Sequence, residues 1–122
     1  MNRSILITDD EPAIRESLAL FLVGEGFTCQ VAKDGREAIE KAAATSFDII
    51  LMDLRMPRQG GFEAIQKIKE NNPHAVFIII TAYYHIEEAA IALQHGASAL
   101  LLKPIDFDEL TSVINRHLPK KK

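Results

Sequence analysis

Cysteine is nearly absent: Cys29 is the only one in 122 residues. A single thiol cannot close an internal disulfide or build a multi-thiolate metal site, and it fits a reducing, cytoplasmic setting. Long apolar runs are missing too. Runs such as residues 75–80 and 99–102 fall far short of the roughly 20 residues a membrane helix needs. Near the N-terminus only Ile5, Leu6 and Ile7 follow Arg3 before Thr8 and Asp9, so no secretory signal is expected. Positive charge is not in excess: 14 Lys and Arg face 17 Asp and Glu, a net charge of −3 with a pI near 5.8. This balance gives no electrostatic grip on nucleic acid or anionic lipid, so neither direct nucleic-acid binding nor membrane association is expected. No P-loop is present, and Gly24-Glu25-Gly26 lacks the third glycine of a dinucleotide fingerprint and reads as a turn. His74, His85, His95 and His117 show no metal-ligand spacing. Internal repeats and low-complexity segments are also missing.

What remains is an ordinary globular composition, 48% apolar and 25% charged. The length fits one domain that buries about two thirds of its unfolded surface. Residues 1–119 are expected to form that domain, with 120–122 a basic tail or the start of a linker. Short β-branched or leucine-rich runs recur at residues 4–8, 27–32, 47–53, 75–81 and 99–102. Between them, apolar residues take helical spacing: Ile14, Leu18, Phe21 and Leu22; Ile39, Ala42 and Ala43; Phe62, Ile65 and Ile68; Ile86, Ala89, Ala90 and Leu93; Leu110, Val113 and Ile114. Asp34 with Glu37, and Asp106 with Glu109, read as capping boxes. Asn71-Asn72-Pro73 stops one helix and Gly96 ends another. Cys29 falls in a strand and is expected to be buried and inert.

Strands alternating with single helices demand a parallel sheet. The third and fourth runs are apolar without alternation, as in central strands covered by helices on both faces. The expected fold is therefore α/β, an open doubly wound parallel sheet of five strands with five helices and right-handed crossovers. In such sheets ligands bind beyond the carboxyl ends of the strands, and the unusual polar residues stand there. Asp9, Asp10 and Glu11 follow the first strand, Asp53 ends the third, Thr81 the fourth, and Lys103-Pro104 the fifth.

Clustered carboxylates repel, so they take up protons or recruit a cation. A hard ion such as Mg²⁺ suits one or two carboxylates with waters and phosphate oxygens. A carboxylate so placed is a nucleophile toward phosphorus, and an ammonium and a hydroxyl opposite it hold phosphoryl oxygens. The constellation reads as metal-assisted phosphoryl transfer to Asp53. Taken singly, each residue has a plainer use: Asp9, Asp10 and Glu11 as a helix cap, Asp53 as a turn residue, Thr81 as a strand end, Lys103 as an edge lysine. Those uses do not explain why chemistry stands at all four strand ends together.

The sequence resembles the response regulator receiver domain of two-component signalling. The resemblance rests on residues 5–12 (ILITDDEP), residues 48–57 (DIILMDLRMP) followed by Gly60-Gly61, Thr81-Ala82, and Gly96-Ala97 leading to Lys103-Pro104. It implies a flavodoxin-like strand order 2-1-3-4-5. It implies that Asp53 accepts phosphoryl from a sensor histidine kinase or a histidine phosphotransfer protein. Mg²⁺ would be held by Asp10 and Asp53 directly, by Asp9 mostly through water, and by the backbone carbonyl of Arg55. Thr81 and Lys103 would bind phosphoryl oxygens, Ala82 would leave the approach open, and the Lys103–Pro104 peptide would be cis. The domain would catalyse its own phosphorylation and dephosphorylation. It would switch conformation to control an output domain or effector, with a homodimer through the fourth helix, fifth strand and fifth helix as a further expectation.

The chain departs from the family at one place. Many receivers carry an aromatic residue three positions before the lysine, and here that residue is Leu100. A rotamer switch of an aromatic side chain is excluded there. Tyr83 or Tyr84 either takes over that part or simply starts the fourth helix. Arg55 and Tyr83 flank the expected phosphoryl site and are candidates for restricting the attack of water. Two other readings stay open: a haloacid-dehalogenase-like phosphohydrolase, which also forms an aspartyl phosphate but resembles Asp-x-Asp after its first strand, and a receiver-like interaction module without phosphorylation.

Overall fold

The computed structural model describes residues 3–54, 61–82, 86–94 and 96–118. Strands and helices alternate throughout: β1 (Ser4–Thr8), α1 (Pro12–Gly24), β2 (Thr28–Ala32), α2 (Gly35–Ala44), β3 (Ile49–Asp53), α3 (Gly61–Asn71), β4 (Val76–Thr81), α4 (Ile86–Gln94), β5 (Ala99–Leu102) and α5 (Phe107–His117). All pairings are parallel and the order is β2-β1-β3-β4-β5. The expected α/β architecture is the one observed.

Strand alternation divides the core in two. Ile5, Ile7, Ile49, Leu51, Ile78, Ile80 and Leu101 pack toward α1 and α5, against Leu18, Leu22, Leu110, Val113 and Ile114. Leu6, Ile50, Met52, Phe77 and Ile79 pack on the other face with Ala38, Ala42, Ala64, Ile65, Ile68 and Ala92 of α2, α3 and α4. Each fully buried Leu, Ile or Phe contributes about 1.5–3 kcal/mol relative to its exposed state. Every residue of β3 and β4 is buried, as their unalternated sequences require.

Local chemistry sets the helix boundaries. Asp34 accepts from Glu37 N at 2.8 Å, while the Glu37 carboxylate accepts from Lys33 N at 3.0 Å, so the return arm of the capping box lands one residue early. Asp106 Oδ1 accepts from Asp108 N and Glu109 N at 2.8 and 3.2 Å. Gly26 and Gly96 take positive φ, +100° and +116°, which L side chains rarely adopt. Among the described residues, no helix is long and apolar enough to cross a membrane.

Three local expectations are corrected. Cys29 is half-buried rather than buried, because β2 is an edge strand whose outer residues alternate with exposed ones. Burial still pushes its thiol above the usual value of 9.0. In α4, Ala92 is 1% exposed whereas Leu93 is 38% exposed, and Ala90 is also exposed. In α2, Ala38 and Ala42 face the core while Ala43 faces solvent. Both helices are alanine-rich, and alanine marks the inner face too weakly to fix the phase of the stripe. The expected basic tail lies outside the described residues.

Candidate functional site

Parity along the strands builds the site. Ile7, Leu51 and Leu101 point toward α1 and α5. Two residues further on stand Asp9, Asp53 and Lys103, whose side chains converge at the carboxyl rim of the sheet. Lys103 Nζ lies 2.9 Å from Asp9 Oδ2, 2.9 Å from Asp53 Oδ2 and 3.3 Å from Glu11 Oε1. Asp9 and Asp53 are buried, at 0% and 5% exposure, while Asp10 is exposed on the rim. One carboxylate oxygen from each of Asp9, Asp10 and Asp53 lies within 4.8 Å of the others.

Asp9 is held on every side. Its N–H donates to Ala32 O at 3.2 Å, and its Oδ1 accepts from Glu11 N at 2.9 Å. Its carbonyl accepts from Arg15 Nη1 at 2.7 Å. Glu11 is the N-cap of α1 but makes no capping bond with its side chain, and Pro12 opens the helix. Asp9 Oδ1 therefore holds the N-cap residue itself rather than a first-turn N–H of α1.

The Lys103 ammonium holds its proton more tightly than the ordinary value of 10.5. Burial alone would weaken that hold; the hydrogen bonds to Asp9 and Asp53 and the charges of both carboxylates overcome it. At the end of β4 the Thr81 hydroxyl is buried without a hydrogen-bond partner among the described residues, as is that of Thr8. A buried hydroxyl left unbonded costs about 1–3 kcal/mol, so Thr81 keeps an unmet demand beside the acids. Ala82 follows it, half-buried. The Lys103–Pro104 peptide is cis.

Asp9, Asp10, Asp53 and Lys103 are thus brought together, with Thr81 at the neighbouring strand end. Arg55, Tyr83 and Tyr84 lie outside the described residues, as do Met56, Pro57, Gly60, His85 and His95. Leu100 is half-buried against the α2–α4 side of the core. Sequence reasoning missed two contributors: Glu11 as a third partner of Lys103, and Arg15 as the donor to the Asp9 carbonyl. Both stand within two turns of the acid pair, where the signal was an acid and an arginine on the rim-facing start of a helix.

The donor set fits a hard divalent cation: three carboxylate oxygens in close range, no thiolate or imidazole among them, and an edge open to solvent at Asp10. An ammonium and an unbonded hydroxyl on the far side suit the oxygens of a tetrahedral anion.

Known proteins resemble this chain in sequence and fold. A family model described as the response regulator receiver domain matches residues 5–115. The DNA-binding transcriptional regulator NtrC of Escherichia coli K12 is 37% identical over 117 residues, covering 95% of this chain and 25% of that protein. The chain spans about a quarter of the length of the curated relatives it matches. Among solved structures, the response regulator TrrA of Thermotoga maritima, crystallised with Mg²⁺ and BeF, superposes with a TM-score of 0.83 at 33% identity, covering 95% of this chain and 99% of that one. A response regulator from Burkholderia pseudomallei with a phosphorylated aspartic acid, calcium and citrate superposes with a TM-score of 0.85 at 27% identity, covering 92% and 66%. With the family model matched over residues 5–115 and relatives 37% identical over nearly the whole chain, this protein belongs to the family of response regulator receiver domains.

Proposed function

We propose that Asp53 is the phosphoacceptor of this receiver domain. The reading is supported above all by the Asp53 carboxylate lying 2.9 Å from Lys103 Nζ while oxygens of Asp9, Asp10 and Asp53 share a 4.8 Å cluster. One Asp53 oxygen attacks the phosphorus of a phosphohistidine on a sensor kinase or phosphotransfer protein. The new O–P bond forms as the P–N bond breaks, and the electron pair leaves with the imidazole. Asp10 and Asp53, with the Arg55 carbonyl, would hold Mg²⁺, which would supply neutralisation of charge on the transferring group. Asp9 would contribute mostly through a metal-bound water, since both of its oxygens already face protein groups. Lys103 moves from its carboxylate partners to a phosphoryl oxygen, and the Thr81 hydroxyl donates to another, gaining the partner it lacks. Ala82 leaves the approach unobstructed. The domain catalyses its own phosphorylation and dephosphorylation.

The output is carried by a change of the face formed by α4, β5 and α5, which contacts an effector, an output domain or a second copy. With Leu100 at the usual aromatic position, the switch is muted or rerouted, with Tyr83 or Tyr84 as the candidate carrier. Arg55 and Tyr83 slow hydrolysis by restricting water. The domain is cytoplasmic and acts through residues 1–119, with 120–122 as a tail or linker. The test is incubation with acetyl phosphate and Mg²⁺, read by intact mass. A gain of one phosphoryl group, absent in Asp53→Ala and after chelation, supports the reading. Steady turnover of a phosphate ester without a phosphorylated species would instead mark a phosphohydrolase.

A further inference from the structure

The two acids at the end of β1 are unequal in their support. Asp9 is buried and its amide, carbonyl and carboxylate all have partners. Asp10 is exposed, beyond the last residue of the strand and before the N-cap of α1. The peptide joining them is the only rigid link from Asp9 to Asp10, and its oxygen is the Asp9 carbonyl. Arg15, half-buried one turn into α1, donates Nη1 to that oxygen at 2.7 Å.

We propose that Arg15 is a positioning residue for cation binding. By holding the Asp9–Asp10 peptide plane it fixes the direction in which the Asp10 carboxylate leaves the backbone, and so keeps that oxygen within the 4.8 Å cluster. The bond is charge-assisted and short, and it ties the acid pair to a helix that is itself anchored by Leu18 and Leu22 in the core. The inference rests on the reading of this rim as a Mg²⁺ site.

The sign of the effect separates this role from the plain presence of a charge. A guanidinium beside a cation site repels the cation, so removing a mere bystander tightens Mg²⁺ binding. Removing a support loosens it, and outer-shell partners of metal sites typically carry 10–100-fold of affinity. The experiment is calorimetric titration of Mg²⁺ into the whole chain for the wild type, Arg15→Met and Arg15→Lys, with metal-free melting as the control for folding. The methionine keeps the apolar stem and loses the donor; the lysine keeps a donor of similar reach. Expected are roughly tenfold weaker binding in Arg15→Met, recovery of most of that loss in Arg15→Lys, and a phosphorylation rate with acetyl phosphate that returns toward wild type at saturating Mg²⁺. Equal or tighter binding in Arg15→Met overturns the proposal, as does a loss that tracks the melting temperature in both variants. If Arg15→Met does not fold, Arg15→Lys binding tenfold or more weaker than wild type overturns it as well. A wild type that binds no Mg²⁺ removes the underlying reading together with the proposal.

Discussion

Replacing Asp10 with Asn should stabilise the metal-free protein and remove its response to Mg²⁺. Oxygens of Asp10 lie within 4.8 Å of oxygens of both Asp9 and Asp53. At that separation two like charges repel by roughly 0.9 kcal/mol in water and by roughly 3.5 kcal/mol at an effective dielectric constant of 20. Asp10 is exposed, so each pair sits toward the lower figure, and Lys103 offsets part of the sum through its contacts with the other two acids. The net gain should be about 1–2 kcal/mol, on the order of 4–8 °C in melting temperature for a domain of this size. Added monovalent salt should shrink the gain by screening. Mg²⁺ at 100 times its dissociation constant should stabilise the wild type by about 2.7 kcal/mol and the variant by far less. The order of stability therefore inverts on going from chelator to saturating Mg²⁺, which paired thermal melts would read directly. A variant that melts lower than wild type in chelator, or gains as much from Mg²⁺, refutes the claim that these three carboxylates share one cation.

Lys103→Met should destabilise the metal-free protein by leaving Asp9 and Asp53 facing each other, and Mg²⁺ should recover much of the loss. Because folding raises the proton affinity of Lys103, its stabilisation is fully present below about pH 10.5 and is lost as the pH rises past it. In chelator the stability gap between wild type and Lys103→Met should hold up to that point and close above it; a gap that closes near neutrality counts against the ion pairs. Asn72, 5% exposed, accepts from Phe47 N at 3.0 Å and donates to Ala42 O at 3.0 Å. Asn72→Ala leaves both backbone groups unbonded and should cost about 2–4 kcal/mol in denaturant unfolding. Its phosphorylation should be unaffected, since it sits at the opposite end of β3 from Asp53; an unchanged midpoint would show that water replaces the amide. Cys29 should alkylate more slowly than free cysteine at mildly alkaline pH and at the free rate in denaturant.

Much of this was legible because the two periods of the fold leave different marks. The apolar blocks of β3 and β4 could only be strands covered on both faces, and parity then carried Asp9, Asp53 and Lys103 to one rim. Alanine-rich α2 and α4 were readable as helices but not in phase, since a methyl group tolerates both sides of the boundary. The half-burial of Cys29 follows from β2 being an edge, which the strand order 2-1-3-4-5 implies although the run of residues around Cys29 does not. Asn72 read as a helix stop and is one, yet its side chain also joins α2 to the entrance of β3 across 25 and 30 residues, a contact that exists only once the sheet is assembled.

Arg15 and Glu11 were missed for a related reason, and it bears on how the site is built. A motif names the groups that touch the reacting atoms, and those stand at strand ends where spacing is short and rigid. The groups that hold them come from the first turns of α1, where the same sequence already satisfies a helix start. In the metal-free protein Lys103 is the counterion that lets two buried carboxylates stay close together. On the proposed function, Asp10 and Asp53 would hold a dication that takes over that charge balance, and the ammonium would be free for an incoming anion. On that reading the lysine would serve stability in one state and recognition in the other. That exchange requires the acids to keep their geometry while the cation beside them changes, and it is the anchoring of the Asp9 backbone by Ala32 and Arg15, and of its carboxylate by Glu11 N, that can hold it fixed.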